Sequence, residues 1–284
     1  MKLYAISDLH LDHRANRDAL ETLPAFSRDW LILGGDICAT AEQLAACLDI
    51  LCARFARVVW VPGNHELWVG RSDVGLSSVA KYGQLVAVCR RFDVCTPEDD
   101  YPVWHGDGGP QRIVPLHLLY DYSFRPRSVP EHMAVEWAVE SGVMCQDEYQ
   151  IDPAPFASKA DWCRARLRYS VQRLTQCSTD MPLVLVNHFP LRYDLVRTMR
   201  IPRFSIWCGT RETEDWHRRY GASVVVSGHL HMRATDFRDG VRFEEVSLGY
   251  PRDWKREQGV HHYFREILPG PLQGYHHAGP FWKF

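Results

Sequence analysis

Short apolar runs punctuate the chain: Leu3–Ile6, residues 30–33 (Trp-Leu-Ile-Leu), 58–61 (Val-Val-Trp-Val), Leu183–Val186 and 224–226 (Val-Val-Val). Runs this short, stopped by Gly, Pro or polar residues, read as buried strands. Between the first three, apolar residues return at helical spacing. Residues 14–23 predict a short helix, and 40–55 a longer one through Leu44, Cys47, Leu48, Leu51 and Phe55, with Thr40 as N-cap. Strand, helix, strand, helix, strand implies parallel pairing and an α/β layered fold.

Further along, residues 73–92 and 161–174 read as helices and 113–120 as a strand ending in Asp121-Tyr122-Ser123-Phe124. Residues 96–115 predict a hairpin or an irregular excursion. Their Gly106-Asp107-Gly108-Gly109 cluster lacks the Lys-Ser/Thr of a phosphate-binding P-loop and reads as turns. Residues 125–157, rich in Pro and acidic residues, fit no period beyond a helix at 131–141. The stretch 97–157 is therefore expected as an insertion on an active-site rim, within a single domain spanning 1–284. Arg238-Asp239-Gly240 marks a hairpin within 233–248, and the tail from Tyr250 is expected to pack across the body.

The polar residues that end the strands change the picture. They are Asp8 and His10 in Ser7-Asp8-Leu9-His10, Asp36 after Gly34-Gly35, Asn64 and His65 in Gly63-Asn64-His65-Glu66, His188, and His229 and His231 in Gly228-His229-Leu230-His231. A mixed carboxylate and imidazole set without cysteine suits Mn²⁺, Fe or Zn²⁺. Seven or eight donors are too many for one catalytic ion with an open position. They suit two ions about 3.5–4 Å apart around a bridging carboxylate, an arrangement that serves phosphoester hydrolysis.

Composition narrows the setting. Of 284 residues 46% are apolar and 24% charged, enough for a large core, and the net charge of −2 disfavours a nucleic-acid partner. No apolar run nears the ~20 residues of a membrane span, and Met1-Lys2 leads straight into a strand without a signal peptide. Nine scattered cysteines form no C-x-x-C pair, so the expected compartment is the cytoplasm. Cys47 and Cys52 read as small buried hydrophobes, Trp60 and Trp162 as packing residues, and the His261-His262 and His276-His277 pairs as surface or packing residues.

Asp8-x-His10, Gly35-Asp36, Gly63-Asn64-His65-Glu66, His188 and Gly228-His229-x-His231 resemble, in order, the five motifs of the calcineurin-like metallophosphoesterases, over a core from Lys2 to about Ser247. The resemblance implies a four-layer βαββαβ sandwich: two mixed sheets face to face, helices outside, a two-metal site at one edge. It implies that Asp8, His10 and His231 hold one ion, that Asn64, His188 and His229 hold the other, and that Asp36 bridges. A metal-bridging hydroxide would attack the phosphoester in line, while His65 protonates the leaving oxygen or stabilises phosphoryl charge. The ions would be Mn²⁺ first, with Fe/Mn or Zn²⁺ as alternatives. Asp12 and Glu66 are candidate partners for the far nitrogens of the ligand histidines.

Residues 119–126, 186–191, 207–210 and 241–252 further resemble the bacterial branch that includes phosphopantetheinyl hydrolases. That branch implies removal of 4′-phosphopantetheine from the serine of an acyl or peptidyl carrier protein, a partner that Arg192, Arg197, Arg200 and Arg203 could face. Competing readings are a nuclease, a cyclic-nucleotide phosphodiesterase, a phosphoprotein phosphatase, or a non-catalytic metal-binding scaffold.

Overall fold

The computed structural model describes residues 1–70, 73–177, 180–198 and 200–270. In chain order these residues form β1 (Leu3–Ile6), α1 (Arg14–Glu21), β2 (Phe26–Leu33), α2 (Ala41–Cys52), β3 (Phe55–Trp60), α3 (Asn64–Leu67) and α4 (Ser78–Arg91). There follow β4 (Val103–Gly106), β5 (Gly109–Pro115), α5 (Ala134–Val139), α6 (Asp147–Gln150), α7 (Lys159–Thr175) and β6 (Leu183–Val186). The chain continues through α8 (Trp216–Arg219), β7 (Ala222–Ser227), β8 (Ala234–Arg238), β9 (Val241–Glu245) and β10 (Arg265–Leu268).

The strands form two mixed sheets, ordered β10-β1-β2-β3 and β4-β5-β6-β7-β9-β8. Side chains alternate between strand faces, and the apolar positions follow that rule. Leu3, Ala5, Ile32, Val59 and Val61 of one sheet share a buried cluster with Ile113, Val184, Val186, Val224 and Val226 of the other. Their neighbours Ile6, Leu31, Leu33, Val58, Trp60, Leu183, Leu185 and Val225 join Leu44, Leu48 and Leu51 of α2, Leu85 of α4 and Trp162 and Leu167 of α7. One face of each sheet thus meets the other sheet, and the other face meets helices. The sheets touch at one edge through an isolated parallel bridge, Ser7↔Ser247.

Caps set the helix starts. Thr40 accepts from Gln43 N–H, Ser77 from Ala80 N–H and Ser158 from Asp161 N–H, so α4 begins at Ser78 rather than near residue 73. Phe55 belongs to β3, not to the preceding helix. Its ring stacks on Phe26 of β2 at 5.0 Å, and this cross-strand contact overrides the helical spacing. The strand expected at 113–120 ends at Pro115, and Leu116 runs on as irregular chain. Within 97–157, residues 103–115 are the β4–β5 hairpin of the six-stranded sheet, because β5 pairs in parallel with β6. Asp239 (φ 53°) and Gly240 (φ 79°) turn the β8–β9 hairpin. The tail holds a strand that the pattern did not show: β10 pairs antiparallel with β1. The His276-His277 pair lies outside the described residues, while His261 and His262 are exposed.

Candidate metal centre

Every strand that ends in a candidate ligand delivers it to the edge where the sheets touch. Backbone bonds tie the loops together: Asp8 N–H to Gly35 O (2.8 Å), His10 N–H to Asp36 O (3.0 Å), Gly228 N–H to His188 O (2.8 Å) and Gly249 N–H to Asp8 O (3.0 Å). Five of the candidates carry left-handed backbone: Asp8 (φ 54°), His10 (43°), Asp36 (52°), His229 (71°) and His231 (53°). Each such conformation costs roughly 1 kcal/mol or more in a residue with a side chain. Concentrating it at these positions turns the side chains out of the strand direction and toward one another.

Two triads result, Asp8–His10–His231 and Asp36–His188–His229, each with its ligand atoms within 4.8 Å of one another. In the first, His231 Nε2 lies 3.0 Å from Asp8 Oδ1 and 3.1 Å from His10 Nε2. In the second, His188 Nε2 lies 3.4 Å from Asp36 Oδ2. Asp36 also groups with His10 and His65, so it stands between the two sets. His65 is partly exposed, with Nε2 3.8 Å from Asp36 Oδ2, and its backbone N–H donates to Asp36 Oδ1 at 2.9 Å. Seven of the eight strand-end residues come together here, and Asn64 adjoins them as the neighbour of His65 at the start of α3.

The donor atoms fit divalent ions. Asn64 Oδ1, His188 Nε2 and His229 Nε2 are buried and lack a hydrogen-bond partner. Leaving such atoms unpaired costs about 1–3 kcal/mol each, and within the eight candidate residues these three belong to the set expected to hold one ion. His188 Nδ1 faces Gly34 O at 2.9 Å, which keeps a proton on Nδ1 and leaves Nε2 as the ligand atom once the ring is neutral.

Electrostatics point the same way. Burial disfavours charge on His188 and His231, but Asp36 beside the first and Asp8 beside the second outweigh it and push both up to about 10. Burial pulls His10 down to about 4 and His229 to about 3. Asp8 and Asp36 sit below the usual carboxylate range: burial opposes their charge, yet the facing histidines outweigh it. In the metal-free chain His188 and His231 thus supply the positive charge that Asp8 and Asp36 require, a place that divalent ions would take.

The supporting residues differ from those expected. Glu66 contacts no ligand histidine. Its fully buried carboxylate accepts from the backbone N–H of Ile37 (2.6 Å), Asp36 (2.8 Å) and Gly63 (2.9 Å), locking the β2 and β3 loops together. Asp12 pairs with His13 at 3.6 Å, away from the ligands. Asp253 takes the second position, 3.6 Å from His231 Nδ1. Ser7 and Ser247 hydroxyls and the His229 N–H all donate to Asp8 Oδ2. Tyr250 stacks on His10 at 4.5 Å. Asp147, buried beside Asn64, was missed altogether, since nothing periodic surrounds it in sequence. Asp121 accepts from Ser123 N–H two positions on and from the Thr210 hydroxyl in a segment distant in sequence. Three of the four arginines after Leu191 are engaged within the chain: Arg192 with Asp194, Arg197 with Asp236 and Arg203 with Glu140.

Two packed sheets with this cluster at their shared edge define a class, and sequence comparison agrees: the calcineurin-like phosphoesterase family matches residues 1–233. The chain belongs to that family. It is 46% identical over 274 residues to the [acyl-carrier-protein] phosphodiesterase PptH of Mycobacterium tuberculosis, covering 95% of this chain and 84% of that protein. The crystal structure of phosphopantetheinyl hydrolase (PptH) from Mycobacterium tuberculosis superposes with a TM-score of 0.89 at 45% identity, over 95% of this chain and 96% of that one. A putative 5′-nucleotidase from Staphylococcus aureus is far more distant, at 12% identity and a TM-score of 0.41 over 86% of this chain and 48% of that one. No helix among the described residues is long and apolar enough to cross a membrane.

Proposed function

We propose that this protein is a two-metal phosphodiesterase that hydrolyses the serine-linked phosphodiester of holo-carrier proteins, releasing 4′-phosphopantetheine and the apo-carrier. The observation that carries the chemistry is the pair of His/Asp triads, linked by Asp36, which belongs to one and also groups with His10 of the other, with three partnerless buried donor atoms on the Asn64, His188 and His229 side. The substrate follows from the extent of the likeness to a carrier-protein phosphodiesterase, nearly full-length and close to half identical. Asp8, His10 and His231 hold one ion, Asn64, His188 and His229 the other, and Asp36 lies between them. Mn²⁺ is the first choice, with Fe/Mn or Zn²⁺ as alternatives, all compatible with oxygen and imidazole donors.

When bound, a pair of such ions lowers the pKa of a water and neutralises phosphate charge. The chain's own residues do the rest. The Glu66 bracket and the Gly34 carbonyl hold the ligands in place before substrate arrives. His65, partly exposed and outside both triads, is the group placed to reach the substrate phosphate, where it donates a proton to the leaving serine oxygen or stabilises charge. The residues form one domain, with the irregular stretch after β5 on the rim. A reducing cytoplasm suits nine cysteines of which none is paired.

The test is mass spectrometry of a holo-carrier protein incubated with enzyme and Mn²⁺. The proposal expects the carrier to lose the whole phosphopantetheinyl group. A carrier left intact while an aryl phosphodiester is cleaved would move the protein to another phosphoesterase substrate, and no cleavage of either would leave a non-catalytic scaffold.

A further inference from the structure

The rim turn α6 carries two acidic residues with separate tasks. Glu148 anchors the turn: its Oε1 accepts from Trp207 Nε1 (2.6 Å) and the Tyr122 hydroxyl (3.0 Å), and its Oε2 pairs with Lys159 (3.0 Å). The backbone adds Val69 N–H to Gln150 O (2.8 Å) and Ser78 N–H to Asp152 O (2.9 Å), tying the turn to the chain just after α3 and to the first residue of α4. Asp147 faces the metal centre and is fully buried. One of its oxygens, Oδ1, accepts from both Asn64 Nδ2 (2.9 Å) and Trp68 Nε1 (2.6 Å).

A carboxylate oxygen only accepts, so it is the amide nitrogen of Asn64 that faces it. Asn64 Oδ1 is thereby turned to the opposite side, where it is buried and partnerless. The indole held by the second bond lies against the His65 ring, centroids 3.7 Å apart at 28°. From this geometry we infer that Asp147 is a positioning residue for the phosphodiesterase site. It selects the amide orientation in which Asn64 offers oxygen rather than nitrogen to the second ion, and it fixes the ring that backs His65. The inference rests on the proposed roles of Asn64 and His65.

Without that acceptor the Asn64 amide is free to turn over, and a –NH₂ group cannot ligate a cation. Removing an outer partner of this kind weakens metal binding about 10–100-fold. Asp147→Asn keeps an acceptor oxygen for both donors, whereas Asp147→Leu, of similar size, keeps none.

The experiment titrates the metal-free full chain with Mn²⁺ by calorimetry, following the spectrum of a coupled Mn²⁺ pair by electron paramagnetic resonance. Wild type and Asp147→Asn are expected to bind two equivalents and give the coupled spectrum. Asp147→Leu is expected to keep the first equivalent, bind the second at least tenfold more weakly and lose the coupled signal. Should the leucine variant fail to fold, Asp147→Ala removes the acceptor without bulk. Trp68→Phe offers an independent arm: both equivalents retained, kcat lowered and KM unchanged. Coupled pairs of undiminished affinity in the leucine or alanine variant, or an unchanged kcat in Trp68→Phe, would overturn the inference while leaving the two-metal reading intact. A wild type that binds no pair would instead overturn that reading.

Discussion

Gly63 lies where the loops after β2 and β3 meet, and the Gly63→Ala substitution measures how tightly. Gly63 has φ −99° and ψ −169°, extended backbone open to any residue, so alanine brings no conformational strain. The obstacle is space. An added Cβ would run into Asp36 Oδ1 and stand 2.5 Å from Asp36 N and 2.8 Å from Asp36 Cγ, against the ~3.5 Å of a comfortable contact. Asp36 N is held by Glu66 at 2.8 Å and cannot retreat alone. The side chain must move by about 1 Å, breaking the His65 N–H bond to Oδ1. Overpacking together with the loss of a charge-assisted bond comes to ~3–5 kcal/mol. Misplacing the shared carboxylate by that distance costs about 10²-fold in rate. Urea denaturation of the metal-free protein and turnover of an aryl phosphodiester with Mn²⁺ read the two effects. A loss below ~1 kcal/mol with most of the activity kept would refute the close packing of these loops.

The matching control is Gly83→Ala on the exposed face of α4, where an added Cβ meets nothing within 4 Å; it should stabilise by ~0.5–1 kcal/mol in the same denaturation assay. His65→Ala should lower kcat on the aryl diester by ~10²–10⁴ while elemental analysis finds its metal content unchanged; an unchanged rate would remove His65 from the chemistry. At pH 7 His188 and His231, pushed up to about 10, carry protons in the metal-free chain, and a cation needs the neutral rings. Loading should therefore release about two protons, with affinity rising as pH climbs toward 10, a count read by calorimetry in buffers of different ionisation enthalpy.

Much of this architecture is written locally. Residues such as Val184 and Val186 on one strand face, with Leu183 and Leu185 on the other, state in four letters that β6 is covered on both sides. The strand-end ligands are legible for the same reason, since a strand that stops at a polar residue presents it at a sheet edge. Tertiary partners were not legible. Glu66 was expected to serve histidines but serves backbone N–H groups, because a carboxylate three positions past Gly63 closes onto the start of its own short helix and onto the Asp36 loop beside it. β10 is short and flanked by turns, and it becomes a strand only because β1 offers a free edge. Asp147 lies 83 positions from Asn64 in an irregular segment, where spacing carries no information.

Anomalous diffraction from crystals of the protein grown with Mn²⁺ tests the central claim most directly. Two peaks about 3.5–4 Å apart are predicted, one against Asp8, His10 and His231, the other against Asn64, His188 and His229, with Asp36 reaching both. A single peak, or a pair that leaves Asp36 or the Asn64 oxygen uncoordinated, would contradict the account.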